Sequence, residues 1–393
     1  MPEDTRILLL SAYEAVSHQQ WRSRLFELFP TARWTALGLP ARHFAWRVRG
    51  NSLTWAFNHR QELTDNYELL IVTSLCDLSA LRGFVPELAA LPTLVYFHEN
   101  QFAYPDNTEA DDARRAGRQA HNLLNMQLTS IYTALCADMI AFNSDWNRRS
   151  FLSGARQLLD RLPDHVPCGL TEHLQQRSQV LPVPLADSLF NSHASTGAPA
   201  INQQRLSGDA LNIVWNHRHE YDKGPELLLG IMQELIERGV CFRLHLLGQR
   251  FRQQPAAFAT LRQLLSDHYQ SQGIEPGIDN HIEDRNAYLQ VLQHGDIVLS
   301  TARHDFQGLS VLEACALGCT PLVPDALAYP EYLPAQCRYP VIADSISAQA
   351  QAAADCLQKM LPDIRANRPN VSHLSVGALG AAWNEAISSL LKP

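Results

Sequence analysis

Short apolar strands alternating with longer amphipathic stretches, in two successive series, constrain this chain more than any other feature. Apolar runs at Ile7–Leu10, Leu69–Thr73, Thr93–Phe97 and Asp138–Phe142 are separated by helical patterns such as Leu123–Leu135. A second series begins at Leu211, with strands near Ile213 and at Phe242–Leu247, Ile297–Ser300 and Thr320–Val323. Unbroken apolar runs of strand length belong to sheets covered on both faces. Such sheets are parallel, because every crossover carries a helix over one face. The pattern therefore predicts an α/β protein built of two Rossmann-like, doubly wound parallel sheets. Between the series, the Pro-containing strand and loop Val180–Asp187 leads into a polar tract, Asn191–Asp209, which reads as a linker or surface loop. The expected divisions are an N-terminal domain at 1–185, a linker at 186–209, a second domain at 210–375 and a final helix at 376–393. Ala378–Leu391 carries an apolar stripe at helical spacing within that last segment.

In open sheets of this kind, ligands bind beyond the carboxyl ends of the strands. The polar loops here sit at such ends: Ser17–Trp21, His98–Gln101, Arg218–Lys223, Gly248–Arg250 and Arg303–Gly308. The most informative is Asp305-Phe-Gln-Gly-Leu-Ser-Val-Leu-Glu313, between the strand Asp296–Thr301 and an apolar helix expected at Val311–Leu317. A glycine turn entering a helix offers backbone N–H groups to an anion. The carboxylates of Asp305 and Glu313 suit the hydroxyls of a sugar or ribose. A plain βα connection with surface acids would carry similar residues. The segment Leu211–Leu229 adds a second signal: a strand, then Arg218 and Lys223 in the turn, then a helix from near Gly224. Lys223 is one of only three lysines, with Lys359 and Lys392, so it is not part of a general lysine background. An arginine fork and a lysine point charge together suit a diphosphate. Solvated loop charges are the alternative.

The pair Arg218-x4-Lys223-Gly224 and Asp305-Phe306-x-Gly308-Leu309-Ser310-x-x-Glu313 resembles the retaining nucleotide-sugar glycosyltransferases of the GT-B fold, glycosyltransferase family 4. The resemblance implies two sheets facing across a cleft, with a last helix that crosses back to the first domain. It implies that Arg218 and Lys223 grip the donor diphosphate, that Asp305 faces the transferred sugar, and that Glu313 takes the ribose hydroxyls. Backbone groups from Phe306, Gln307, Gly308, Leu309 and Ser310 would lie near the sugar and phosphate, with the base near Gly248, Arg250 and Ile282. The first carboxylate is Asp where the family usually has Glu, and the usual Gly-Phe-Gly is displaced to Phe306-Gln307-Gly308.

The N-terminal half narrows the likeness. Tyr96-Phe97-His98-Glu99-Asn100-Gln101 and Phe142-Asn143-Ser144, with Ser17-His18-Gln19 after the first strand, resemble the tRNA-queuosine mannosyltransferases. That resemblance makes 1–185 the acceptor-binding domain, with Ser17, His18, Gln19, Glu99, Asn100, Gln101, Asn143 and Ser144 on the acceptor side. It gives His98 a part in the reaction, by hydrogen-bonding the sugar or orienting the acceptor; capping the strand end is the plainer alternative. His217 and His304 flank the donor loops. The implied reaction moves mannose from GDP-mannose, with retention, onto the cyclopentenediol of queuosine in the anticodon of tRNA for aspartate. Arg218 and Lys223 would stabilise the leaving diphosphate, so neither a metal nor a further cofactor is expected. Two other readings stay open: a family 4 transferase with another nucleotide sugar and a small-molecule, glycan or lipid acceptor, and a non-catalytic nucleotide-sugar binding protein.

Composition bears on the partner. The formal charge of −8 does not draw a nucleic acid to the whole molecule. Through residue 185, however, all 17 basic residues are arginine, against 19 acidic ones. Arg114, Arg115 and Arg118, and Arg148, Arg149 and Arg156, form two clusters suited to phosphate and exposed bases. An arginine-rich composition throughout the source proteome is the alternative. No apolar run approaches the roughly 20 residues of a membrane span. The start of the chain lacks a basic segment followed by an apolar core, which argues against secretion. Eight cysteines without metal-like spacing are expected to be free thiols, in keeping with a cytoplasmic setting.

Overall fold

The computed structural model describes residues 1–103, 113–190, 210–251 and 254–392, with side chains omitted for 113–121. The chain divides into two compact units, Met1–Pro184 with Val376–Pro393, and Leu185–Ser375. The linker tract Asn191–Asp209 lies outside the described residues, as do the side chains of Arg114, Arg115 and Arg118.

The first unit is built on six parallel strands in the order β2-β1-β3-β4-β5-β6. They span Arg6–Glu14 (β1), Arg33–Pro40 (β2), Leu69–Thr73 (β3), Thr93–Phe97 (β4), Met139–Phe142 (β5) and Ser178–Val180 (β6). Every residue of β3 and β4 is buried, as expected for central strands covered on both faces. The last helix, Val376–Leu390, packs on the first, Val16–Leu28. Trp383 fixes it there: the ring is fully buried, lies 5.5 Å from Tyr96, and donates through Nε1 to Pro182 O at 3.1 Å.

The second unit carries five parallel strands in the order β11-β10-β9-β7-β8. These are Leu211–Trp215 (β7), Phe242–Leu246 (β8), Ile297–Leu299 (β9), Thr320–Pro324 (β10) and Arg338–Tyr339 (β11). The helix Pro225–Glu237 packs against the helices Ala257–Gln272 and Ile346–Met360, and its apolar face (Leu228, Ile231, Met232, Leu235) is buried in the core. Both units are thus the parallel α/β sheets that the alternation predicts. All eight cysteines are free thiols, four of them buried. Among the described residues no helix is long and apolar enough to cross a membrane.

Several local expectations are corrected. Ser17, His18 and Gln19 are not in a loop. They occupy the first turn of the helix Val16–Leu28, because β1 runs on to Glu14 and leaves only Ala15 between the two elements. The helix after the Asp305 turn starts at Leu309 rather than Val311, immediately after Gly308. The strand expected from Val180 onward instead ends there, as β6; β2 and β11 give no clear sequence signal, β2 being a half-exposed edge strand containing Gly38 and β11 only two residues long.

Candidate active site

In the second unit, the turn after β7 and the turn after β9 converge on Lys223. The first passes through the 3₁₀ turn Tyr221–Lys223 to Gly224, whose φ of 63° starts the helix Pro225–Glu237. Lys223 is buried; its Nζ donates to His304 O at 2.5 Å and lies 3.5 Å from Asp222 Oδ2. Its carbonyl accepts from Thr301 Oγ1 at 2.7 Å, which pins the two turns together. Arg218 is half-exposed, 2.6 Å from Glu220 and 3.7 Å from Asp222. Burial pushes the Asp222 carboxyl up. The bond from His304 and the charges of Lys223 and Arg218 outweigh it and hold the group well below the usual carboxylate range. The two cations expected to meet a diphosphate therefore share one buried anion.

Asp305 and Glu313 bracket the next turn as expected, but each has a partner that sequence reasoning missed. Asp305 accepts from Gly308 N at 3.0 Å and from the Tyr329 hydroxyl at 3.2 Å. Burial raises its pKa, yet Lys223, then His217 and the Gly308 bond, bring the net value below that of an ordinary aspartate. Glu313 is gripped on both oxygens by Arg285, one contact being 3.1 Å. Arg285 opens the helix Arg285–Gln293 and also lies over the Tyr288 ring at 5.4 Å. The helix Leu309–Ala316 starts at Gly308, which has no side chain to cap it. Gly308 is required twice over: its φ is 77°, and a Cβ there would lie 2.7 Å from Tyr329 Cε1. Phe306 and Gln307 are buried, Leu309 and Ser310 are half-buried, and Ser310 O accepts from Asn216 Nδ2 at 2.9 Å.

Gly248 stands where a Cβ would come within 1.4 Å of His217 O, so β8 and the Arg218 turn touch through bare backbone. Arg250 is tied to Asp279, which Arg262 also holds at 2.7 Å. The strip from Ile278 to Asn280 hydrogen-bonds to Leu246 at the end of β8, and Ile282 follows it half-buried. His217 is buried against Ser300 Oγ at 2.9 Å; burial first, then Lys223, lowers its pKa to about 4, so the ring is neutral at pH 7.

In the first unit, His98 directly follows β4 and lies inside an aromatic box: His18 at 4.1 Å, Trp21 at 4.7 Å and Tyr96 at 4.7 Å between ring centres. Burial, and then His18, push its pKa far down, and its buried Nε2 has no hydrogen-bond partner among the described residues. Gln101 Nε2 is likewise buried without one. Such orphaned groups in a native site call for a ligand or water. Glu99 is half-buried and raises the His18 pKa against burial, the larger effect. Ser17 and Gln19 are exposed.

The other acceptor-side candidates are engaged in the scaffold. Asn100 donates to Asn147 and Ser150 and accepts from Phe102 and Ala103 N–H; Asn143 donates to His98 O at 2.9 Å. Ser144 caps the helix Asp145–Leu159 through Asn147 N at 3.0 Å. Arg148 and Arg149 both pair with Asp145, and Arg156 pairs with Glu172, so this cluster is largely neutralised on its own surface. Asp222 could have been inferred from its place beside Lys223 in the turn, and Ser300 from its place directly after β9. Tyr329 lies 24 residues beyond Asp305 on another element, and no motif marks it.

Comparison with known proteins adds the relatives. Residues 6–185 match the family model described as tRNA-queuosine alpha-mannosyltransferase N-terminal. The tRNA-queuosine alpha-mannosyltransferase of Drosophila melanogaster is 32% identical over 335 residues, 85% of this chain and 83% of the relative. Among solved structures, sucrose-phosphate synthase from Thermosynechococcus elongatus superposes with a TM-score of 0.65 at 15% identity, covering 98% of this chain and 99% of that one. OtsA in its apo form gives 0.62 at 14% identity, covering 99% of both chains. HepE from Anabaena, in complex with UDP and glucose, gives 0.61 at 14% identity, covering 98% of this chain and 100% of that one. At these identities the structural likeness speaks for the fold alone, the GT-B arrangement of two parallel-sheet domains.

Proposed function

The chain belongs to the tRNA-queuosine alpha-mannosyltransferase family, and on that basis we propose that it transfers mannose from GDP-mannose to queuosine in the anticodon of tRNA for aspartate. The observation that carries the reading is the relative's match across 85% of the chain, together with the Lys223 cluster, which has the groups that the transfer needs.

Breaking a glycosyl–phosphate bond puts negative charge on the departing diphosphate. Arg218, half-exposed, and Lys223, poorly hydrated, are cations aimed at such charge, and fixed charge in a water-poor site acts more strongly than in solvent. Asp305, held ionised, accepts from the hydroxyls of the sugar, and Glu313, oriented by Arg285, accepts from the ribose. In this reading the cations supply the leaving-group stabilisation that a metal supplies elsewhere, and the leaving phosphate takes the acceptor proton. The orphaned His98 Nε2 and Gln101 Nε2 support a part for these residues in holding a polar ligand, the acceptor or the sugar. The site acts in the cytoplasm, where its tRNA is found.

The test is transfer of radiolabelled mannose from GDP-mannose to queuosine-containing tRNA, with queuosine-free tRNA and chelator-treated enzyme in parallel. Label should appear only on the modified tRNA and should survive the chelator. Transfer to the queuosine-free tRNA, or from UDP-glucose in preference, would sink the acceptor or the donor assignment respectively.

A further inference from the structure

We propose that Tyr329 is a positioning residue for Asp305, holding the short carboxylate and the glycine turn behind it in one arrangement. The inference rests on the reading of Asp305 as the group that meets the transferred sugar. Tyr329 comes from the helical turn Tyr329–Tyr332 after β10 and is almost completely buried. Its two ends hold two ends of one loop. The hydroxyl reaches Asp305 Oδ2 at 3.2 Å, and the ring packs on Gly308, where even a Cβ would meet it at 2.7 Å.

The hydroxyl is itself fixed from behind. It lies 2.7 Å from Ser300 Oγ, which lies 2.9 Å from His217 Nε2 and accepts from Ala302 N at 3.3 Å. The proton order follows from the carboxylate, which can only accept: His217 Nε2–H donates to Ser300, Ser300 to Tyr329, and Tyr329 to Asp305. With two acceptor sites at Ser300 Oγ filled by His217 and Ala302, its own proton is left for Tyr329. Burial, then Asp305, raise the tyrosine pKa well above its ordinary value, so it stays a donor.

The consequence for Asp305 is geometric. Gly308 N–H occupies one lone pair on Oδ1 and Tyr329 one on Oδ2, which fixes both side-chain torsions and leaves one acceptor site on each oxygen for sugar hydroxyls. The chain of donors is anchored in β9's end and the Arg218 turn, so the carboxylate is referenced to the same backbone that carries Lys223. Positioning of this kind affects the rate more than donor affinity.

Tyr329→Phe separates the two contributions, because it keeps the ring against Gly308 and removes the hydroxyl. We expect GDP affinity to match wild type and the melting temperature to fall modestly, because the buried Ser300 hydroxyl loses its acceptor, while kcat for hexose transfer falls about ten- to hundredfold, the effect of losing a hydrogen bond to a charged group. Asp305→Asn and the double variant complete a cycle: if Tyr329 acts through Asp305, the double variant is no slower than Asp305→Asn alone. Ser300→Ala should give a smaller loss of the same kind and carries the test if Tyr329→Phe does not fold. Full activity in Asp305→Asn would refute the donor-site reading itself. A slow Asp305→Asn with an unimpaired Tyr329→Phe, or an unimpaired Ser300→Ala where Tyr329→Phe does not fold, would overturn the Tyr329 assignment alone. So would losses that multiply in full in the double variant.

Discussion

Lys223 keeps its ammonium group between a carbonyl oxygen and a carboxylate, with little water to share the charge. Replacing it by Ala leaves Asp222 buried against fewer cations. Replacing Arg218 removes only the exposed partner. Both variants should lose roughly 2–4 kcal/mol of transition-state stabilisation, about 30- to 1000-fold in rate. Only Lys223→Ala should also lower the melting temperature, as calorimetry beside steady-state kinetics would show. Arg285 gives a second residue-level prediction. It orients both oxygens of Glu313, so Arg285→Gln should weaken GDP binding about five- to tenfold in titration calorimetry. Tighter GDP binding would mean that Arg285 competes with the nucleotide for Glu313. The residue types of this site were legible because Arg218, Lys223, Asp305 and Glu313 lie in two short motifs at strand ends. Arg285 and Tyr329 were not, because their partners are remote in sequence and meet them only in the fold.

At the scale of elements, polar residues with the same look in sequence divide into ligand-ready and structural groups. Among the described residues His98 Nε2 is buried without a partner, whereas Asn100 fills its hydrogen-bonding capacity with Asn147, Ser150 and the next backbone turn. Ser144→Ala should therefore cost about 1 kcal/mol through loss of the helix cap, with the KM for tRNA unchanged. Urea unfolding and acceptor titration would check the two halves of that statement. Trp383→Ala should destabilise the first unit by about 3–5 kcal/mol, since a fully buried ring and its bond to Pro182 are both lost. The central strands could be read from sequence because burial on both faces demands an unbroken apolar run. β2 could not, because an edge strand with a half-exposed face imposes no such demand.

At the scale of the whole molecule, buried and half-buried histidines set the response to acid. His217, His219 and His245 are each lowered from 6.5 to about 4, burial being the largest cause in every case. Folded protein thus binds fewer protons than the unfolded chain between these values. The stabilisation is fully present above pH 6.5 and is lost as pH falls towards 4, at up to roughly 1.4 kcal/mol per pH unit for each histidine. Asp222 and Asp305, also lowered, continue the loss at more acid pH; Glu220, raised chiefly by burial, opposes it slightly. Urea midpoints measured from pH 7.5 to 4.5 should fall steeply below 6.5, and a flat profile would contradict the burial of these rings.

The α/β class and the duplicated sheet were legible in the alternation of apolar runs, whereas a surface suited to a polyanion was not. The net charge of −8 points away from nucleic acid, and the described arginine cluster at Arg148, Arg149 and Arg156 is spent on ion pairs. The transfer reaction is therefore best tested by nucleoside mass spectrometry of queuosine-containing tRNA after incubation with GDP-mannose and either wild-type protein or the Lys223→Ala variant. Queuosine carrying one added hexose is expected with wild type, and a large loss of that product with the variant. Equal product from both, or none from wild type that binds GDP-mannose, would contradict the proposed transfer.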